Sequence, residues 1–495
     1  MDDQSDNNVL NGTRSERRSS SERLFAASAT ATARGACLLR SRHTPCAVAA
    51  LVLAFASASA ETPPPTAADR PPAPIAGTTF ETRLSGAGSC SASACHGASI
   101  TRQQPWRSAF TVWAAEDRHS QAYAVLFEER ALRMARLLGL KAPHQERRCL
   151  DCHSIQGASE SPLAQTALTD GVGCEACHGP ARQWLAAHTL KDWNVKTQTL
   201  GMNDTLDVAT RAKTCVPCHV GAPWRDVNHD LIAAGHPRLA FELLSYQKAM
   251  PPHWAAKKDE DPVAVWAIGR LTSLEASLDL LSYRAGLSKA TPDGPNTRPT
   301  WPEFAEFDCY NCHRPMLRSD TASPSALGLP KRNPWYLAVV DELFKPKGSD
   351  TRLAFVWMDP ADPWTPLDAA ALKPAIGDLA TARATLEGWK TKSPPTADLM
   401  QRITAQATIN DASWDEAAQT YLALVALADR SRPSLRDSRQ QDLDEKLAAL
   451  KEAVQFPVQI GTSGESFHFD SPRNYSPQKF REAMQALVRV LMPSS

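Results

Sequence analysis

Four times the chain repeats one order of residues, Cys-x-x-Cys-His: "CLDCH" at 149–153, "CEACH" at 174–178, "CVPCH" at 215–219 and "CYNCH" at 309–313. A wider version, "CSASACH" at 90–96, puts four residues between Cys90 and Cys95 and again sets a histidine, His96, directly after the second cysteine. With 12 cysteines and 13 histidines in 495 residues, chance would supply about 0.01 strict matches, so the four share one physical cause. Ten of the twelve cysteines fall in these five motifs, and the other two, Cys37 and Cys46, lie near the N-terminus.

Disulfides would be indifferent to the histidine, and a zinc site built on cysteine pairs does not require one after every second cysteine. Covalent haem does. Two thioethers fix the porphyrin edge, and the adjoining histidine is then held where its imidazole nitrogen reaches the iron. The motifs therefore predict five c-type haems, attached through Cys90 and Cys95, Cys149 and Cys152, Cys174 and Cys177, Cys215 and Cys218, and Cys309 and Cys312. His96, His153, His178, His219 and His313 are the expected proximal iron ligands. In the first motif the longer spacer must bulge to present both sulfurs to one ring.

An iron with one protein ligand is open, whereas one with two is closed and suited to carrying electrons. Beyond the proximal five and His43, seven histidines remain. His119 lies in "DRHSQAYAVLFEERALRMARLLGL", where His119, Ala122, Tyr123 and Leu126 recur at helical spacing and Gly139 follows as a stop, which predicts a helix. A lone histidine on such a face is usually a core residue, but beside five irons it reads as a distal ligand. Trp184 and His188 fall one turn apart on a helix expected after Gly179-Pro180, so indole and imidazole would approach the same haem. His229 and His236 are two helical turns apart, each able to serve a different haem, with turn residues Gly235 and Pro237 flanking the second. His253, in "PPHW", completes the expected distal set; His144 and His468 read as solvated or structural.

The N-terminus reads as an address. Residues 1–35 are Ser- and Arg-rich without apolar periodicity, and are excluded from the fold. Arg40 and Arg42 then precede the uncharged "TPCAVAALVLAFASASA", which ends in Ala58-Ser59-Ala60 like a secretory signal. Residues 1–60 are thus leader plus signal peptide and 61–79 a Pro-rich linker, so the expected location is the periplasm. The alternative is an uncleaved anchor on the periplasmic side of the inner membrane. Lys+Arg and Asp+Glu balance at 54 each, so no global field favours nucleic acid as a partner.

Residues 80–330 read as a five-haem cytochrome c domain. Within it, "DPVAVWAIGRLTSLEASLDLLSYRAGL" places Ala267, Leu271, Leu274, Leu278, Leu281 and Ala285 on one face between an Asp261-Pro262 start and a Gly286 stop. This amphipathic helix is expected to bring the fifth motif back against the others. Residues 331–495 read as a helical C-terminal module, with a capping box at Ser413 and Glu416 and a helix opened by Ser476-Pro477 whose Phe480, Met484, Leu487 and Leu491 share a face. The expected fold is mainly α with little regular sheet, helices and loops wrapping a haem array.

The order "W…RHSQAYAVL", "CLDCH", "GVGCEACHGP" with a histidine beyond it, then "CVPCH", over residues 88 to about 220, resembles the family of tetrahaem cytochromes c that take electrons from hydroxylamine oxidoreductase in nitrifying bacteria. The flanking Gly-Val-Gly and Gly-Pro of "GVGCEACHGP" carry most of the likeness. The resemblance implies that most irons have two histidines, that haems stack in close parallel pairs, and that one iron is five-coordinate. It further implies that His119, after the first motif, and His188, after the third, are distal ligands. The chain departs from the family in its widened first spacer, its fifth motif and its long C-terminal region.

The leading expectation is an electron carrier with no catalytic residues, passing electrons between redox partner proteins, with a membrane-bound electron-transfer complex as a candidate association. The alternative is a multihaem oxidoreductase in which one five-coordinate iron turns over a small nitrogen or sulfur compound. Pentahaem nitrite reductases replace the proximal histidine of the catalytic haem by lysine, and every motif here ends in histidine.

Overall fold

Each strict motif predicts a local shape, because residues i and i+3 of a helix lie on one side. A computed structural model describes residues 84–101, 103–155, 168–193, 197, 199–255, 260–286, 301–309, 332–344, 369–389, 395–409, 412–455 and 475–492. The leader, the linker, Cys312, His313 and His468 lie outside them. The chain divides into Met1–Pro64 and Pro65–Ser495, and every described residue belongs to the second unit.

Short helices joined by 3-10 turns carry the motif-bearing part: α1 (Ala109–Glu116), α2 (Glu129–Leu137), α3 (Arg147–His153), α4 (Cys174–His178), α5 (Val208–His219), α6 (His229–Ala233) and α7 (Leu243–Ala249). Three of them, α3, α4 and α5, end on a motif histidine. Then come α8 (Pro262–Arg284), α9 (Val340–Phe344), α10 (Ala369–Trp389), α11 (Thr396–Ile409), α12 (Trp414–Ser431), α13 (Asp437–Val454) and α14 (Pro477–Leu491). The fold is mainly helical. Among the described residues the only β pairings are two isolated bridges, Ala222 with Arg225 and Phe307 with Arg332.

α8 begins and ends where its punctuation says: the Asp261 carboxylate accepts from Val263 N–H, and Gly286 lies at φ +72°. Its burial departs from the one-faced pattern. Trp266, Leu271 and Leu274 join the main core with Leu343, Met400, Leu424, Leu427 and Phe480, while Val265 packs with Val216, Phe241 and Leu243 of the motif-bearing part. Buried on most sides, α8 joins the motif helices to α9–α14. Even Arg270 is inside, donating to the carbonyls of Trp335 and Ala338 at 2.9 and 3.1 Å. The Ser413–Glu416 capping box forms reciprocally, and Ser476 caps α14, which buries Phe480, Met484 and Leu487.

Two expected helices are tighter than helical spacing suggests. His119 sits on a 3-10 turn (Arg118–Gln121) because the Asp117 carboxylate accepts from His119 N–H, and extended Glu128 separates a second turn from α2. Residues 181–189 likewise form two 3-10 turns, yet His188 N–H still reaches the Trp184 carbonyl at 2.9 Å. α6 stops at Ala233, and Gly235 at φ +117° turns His236 away from the helix. No helix among the described residues is long and apolar enough to cross a membrane.

Candidate haem sites

Three of the motif histidines each face a histidine from elsewhere in the chain. His96 of the first motif meets His188 at a ring-centroid distance of 6.1 Å, His153 of the second meets His236 at 6.4 Å, and His219 of the fourth meets His119 at 6.0 Å. Two imidazoles bound to opposite sides of one metal, at metal–nitrogen bonds of about 2 Å, place their centroids about 6 Å apart. The ring planes are near-parallel in the first pair, at 20°, and near-perpendicular in the others, at 86° and 85°.

The second nitrogen of these rings fixes the tautomer. Nδ1 lies 2.6 Å from the Trp106 carbonyl in His96, 2.8 Å from that of Ala122 in His153, and 2.7 Å from that of Pro237 in His236; in His188 it contacts the Leu185 carbonyl. In His119 it lies 2.9 Å from the Asp117 carboxylate. A carbonyl or carboxylate oxygen only accepts, so Nδ1 carries the proton, and in the neutral ring Nε2 keeps its lone pair for a metal. Burial, together with the field of His119, pushes His219 down to about 4, so this ring is neutral at pH 7, the form that ligates.

The third motif is less complete. Burial, then the fields of His253 and His96, push His178 down to about 4, and its Nδ1 is buried with no hydrogen-bond partner among the described residues. His253, the histidine whose field acts on it most, leans on the Pro251 carbonyl at 3.4 Å and on the Trp254 ring. His229 lies beside the fifth motif: its N–H donates to Glu303 at 2.8 Å and its ring meets Phe304 edge-on at 5.6 Å, five residues before Cys309. His144 stacks on Phe127 at 4.3 Å, a packing role.

The attachment cysteines pair across motifs. The Cys90 and Cys174 thiols lie beside each other, bringing the first and third motifs together, and Cys152 lies beside Cys218, whose sulfur also meets the Asp151 carbonyl at 4.0 Å, bringing the second and fourth together. Among the described residues no group of three or more His, Cys, Asp or Glu converges on one point as a zinc site requires. Among the described residues protein core is thin here: outside the α8 cluster, the buried apolar clusters are a six-residue group around Val216 and Phe241 and the pair Leu84 and Ile155. Large apolar macrocycles on these cysteines would supply the missing interior, so facing histidines, adjacent thiols and thin core together fit covalent haem.

Sequence reasoning passed over two carboxylates that assemble this region. Glu175, inside "CEACH", is buried, and its carboxylate accepts from the backbone N–H groups of Ser85, Gly86 and Ala181 at 2.9, 2.8 and 2.6 Å. Asp170 accepts from Ala87 N–H at 2.9 Å. Both tie the stretch of chain leading to Cys90 against the third motif, and nothing in the spelling of a variable motif position announces it. Glu175→Ala leaves three donors without an acceptor and is expected to cost about 3 kcal/mol, measured by denaturant unfolding of the mature protein.

The glycine ahead of the third motif has a comparable job. Gly171, at φ +66°, lies so close to the His119 turn that a Cβ there would stand 2.7 Å from the His119 carbonyl oxygen, which also accepts from Val172 N–H at 3.0 Å. Thus "GVG" holds a histidine facing the fourth motif.

Residues 89–179 match the family model described as cytochrome c554 and c-prime. Among curated proteins, the multiheme cytochrome MtrA of Shewanella baltica (strain OS185) is 26% identical over 195 residues, covering 36% of this chain. The matched region spans about half, 49%, of that protein. No solved structure matches the chain.

Proposed function

We propose that this chain, whose residues 89–179 are a cytochrome c554 family domain, is a periplasmic electron carrier holding five c-type haems. The observation that carries the reading is the set of three facing histidine pairs, His96 with His188, His153 with His236 and His219 with His119, each at about the separation one iron needs. His253 for the third motif and His229 for the fifth complete the assignment. Bound haem iron would supply a one-electron couple.

The rest is the work of the chain. The cysteine pairs anchor neighbouring motifs beside each other, Cys90 near Cys174 and Cys152 near Cys218, which favours transfer within each pair. At the three motifs with facing histidines, paired imidazoles would leave no coordination position for a substrate, which favours a carrier over an oxidoreductase. Donor and acceptor are redox proteins, and the signal-like leader supports an exported location.

Two measurements test this. The mature protein should carry the mass of five haems; four would mean that Cys90, Cys95 and His96 serve another purpose. The oxidised spectrum should be wholly low-spin, with no rapid binding of cyanide or nitric oxide. A high-spin fraction near one haem in five would instead favour the oxidoreductase.

A further inference from the structure

The acceptors that hold the candidate ligand histidines are not alike. His96, His153, His188 and His236 each give their Nδ1 proton to a backbone carbonyl. Among the described residues His178 Nδ1 has no hydrogen-bond partner. Among the rings just named, His119, facing the fourth-motif His219, gives its proton to a carboxylate, that of Asp117. Asp117 is itself buried, 5% exposed, and one of its oxygens takes both His119 Nδ1–H at 2.9 Å and His119 N–H at 3.0 Å. Ring and backbone of one residue are thus fixed by one anion.

A hydrogen bond to an ionised acceptor is about twice as strong as one to a neutral carbonyl, and the low dielectric of a buried site preserves that difference. It draws the Nδ1 proton toward the acceptor, which makes Nε2 a stronger electron donor to whatever it ligates. In a ferric/ferrous couple one electron is gained and one positive charge at the iron is lost. A more donating ligand beside a fixed negative charge favours the ferric side.

We propose that Asp117 is a tuning residue that lowers the reduction potential of the haem held by Cys215, Cys218, His219 and His119, and so sets the direction in which electrons leave the paired second and fourth motifs. The proposal rests on the electron-carrier reading. With a carbonyl-held pair, His153 and His236, at the neighbouring second motif, Asp117 makes the two members of this pair unequal. An electron arriving at the fourth-motif haem is passed on rather than kept.

The test is a spectroelectrochemical titration of the mature full-length protein and of Asp117→Asn, with the low-spin EPR signals followed in parallel. Asparagine keeps an oxygen for both hydrogen bonds and removes only the charge. One component of the titration should rise by about tenfold in its reduction equilibrium, about 59 mV for one electron, with its EPR line shifted and the remaining components unmoved. Asp117→Glu, which restores the charge, should bring that component back toward the wild type. Full haem content with no component moved in Asp117→Asn overturns the proposal while leaving the carrier reading intact. Equal loss of the fourth haem in the Asn and Glu variants also overturns it, in favour of a purely structural cap. A wild-type mass lacking the haem at Cys215 and Cys218 overturns both.

Discussion

Replacing His119, His188 or His236 by alanine is expected to turn one haem of the array from low-spin to high-spin and to open it to carbon monoxide or cyanide. Each ring faces a motif histidine at 6.0, 6.1 or 6.4 Å, with its Nδ1 held by an acceptor and its Nε2 free to ligate. Removing one ring leaves an iron with a single protein ligand, and the exchangeable position is what a small ligand binds. Each variant should convert the same share of the Soret and EPR signal, and a double variant twice that share. His144→Ala is the control: its ring stacks on Phe127, so the spectrum should not change. If the single variants stay fully low-spin, the pairing of these histidines is wrong.

The largest stability effect is expected at Arg284, the last residue of α8. Its side chain is 6% exposed and is shared between Asp226 at 2.5 Å, just beyond the fourth motif, and Glu306 at 2.8 Å, just before the fifth. Burial alone would lower its pKa, but Glu306 and Asp226 push it above its ordinary value. Arg284→Ala strips the nearer cation from two half-buried carboxylates, leaving Glu306 with Arg332 at 3.9 Å. The expected cost is about 3–5 kcal/mol, seen as a fall in melting temperature of order 10 °C. Arg136→Ala, which breaks an ion pair with Glu129 between side chains 63% and 77% exposed, should cost under about 1 kcal/mol. Equal effects at the two sites would mean that Arg284 does not link the fourth and fifth motifs.

The ion pairs place the end of α8 between Asp226, after the fourth motif, and Glu306, before the fifth. The bounds of the helix were readable because Asp, Pro and Gly act within a turn of where they stand. Its burial was not. A 3.6-residue period reports the face with the most apolar residues, and α8 also buries Val265 and Arg270 against neighbours contributed by distant segments. The same limit explains the 3-10 turns at His119 and His188. Spacing of four and three fits both geometries roughly, and a capping carboxylate at Asp117 selects the tighter one.

The chemistry of attachment is local, and the order Cys, Cys, His states it outright: two sulfurs on one helical turn and a ligand next to them. Such motifs are therefore enough to announce the cofactor class and to nominate the proximal ligands. Which distal histidine meets which motif is decided by contacts between residues far apart, His119 with His219 and His153 with His236, and no spacing rule carries that information. Nor could the letters of "GVGCEACHGP" say why they occur together. Only the folded chain shows Gly171 against the His119 turn and Glu175 gathering three backbone donors, two of them from the stretch that leads to Cys90. A buried carboxylate and a glycine without room for a Cβ act through neighbours that tertiary packing alone supplies.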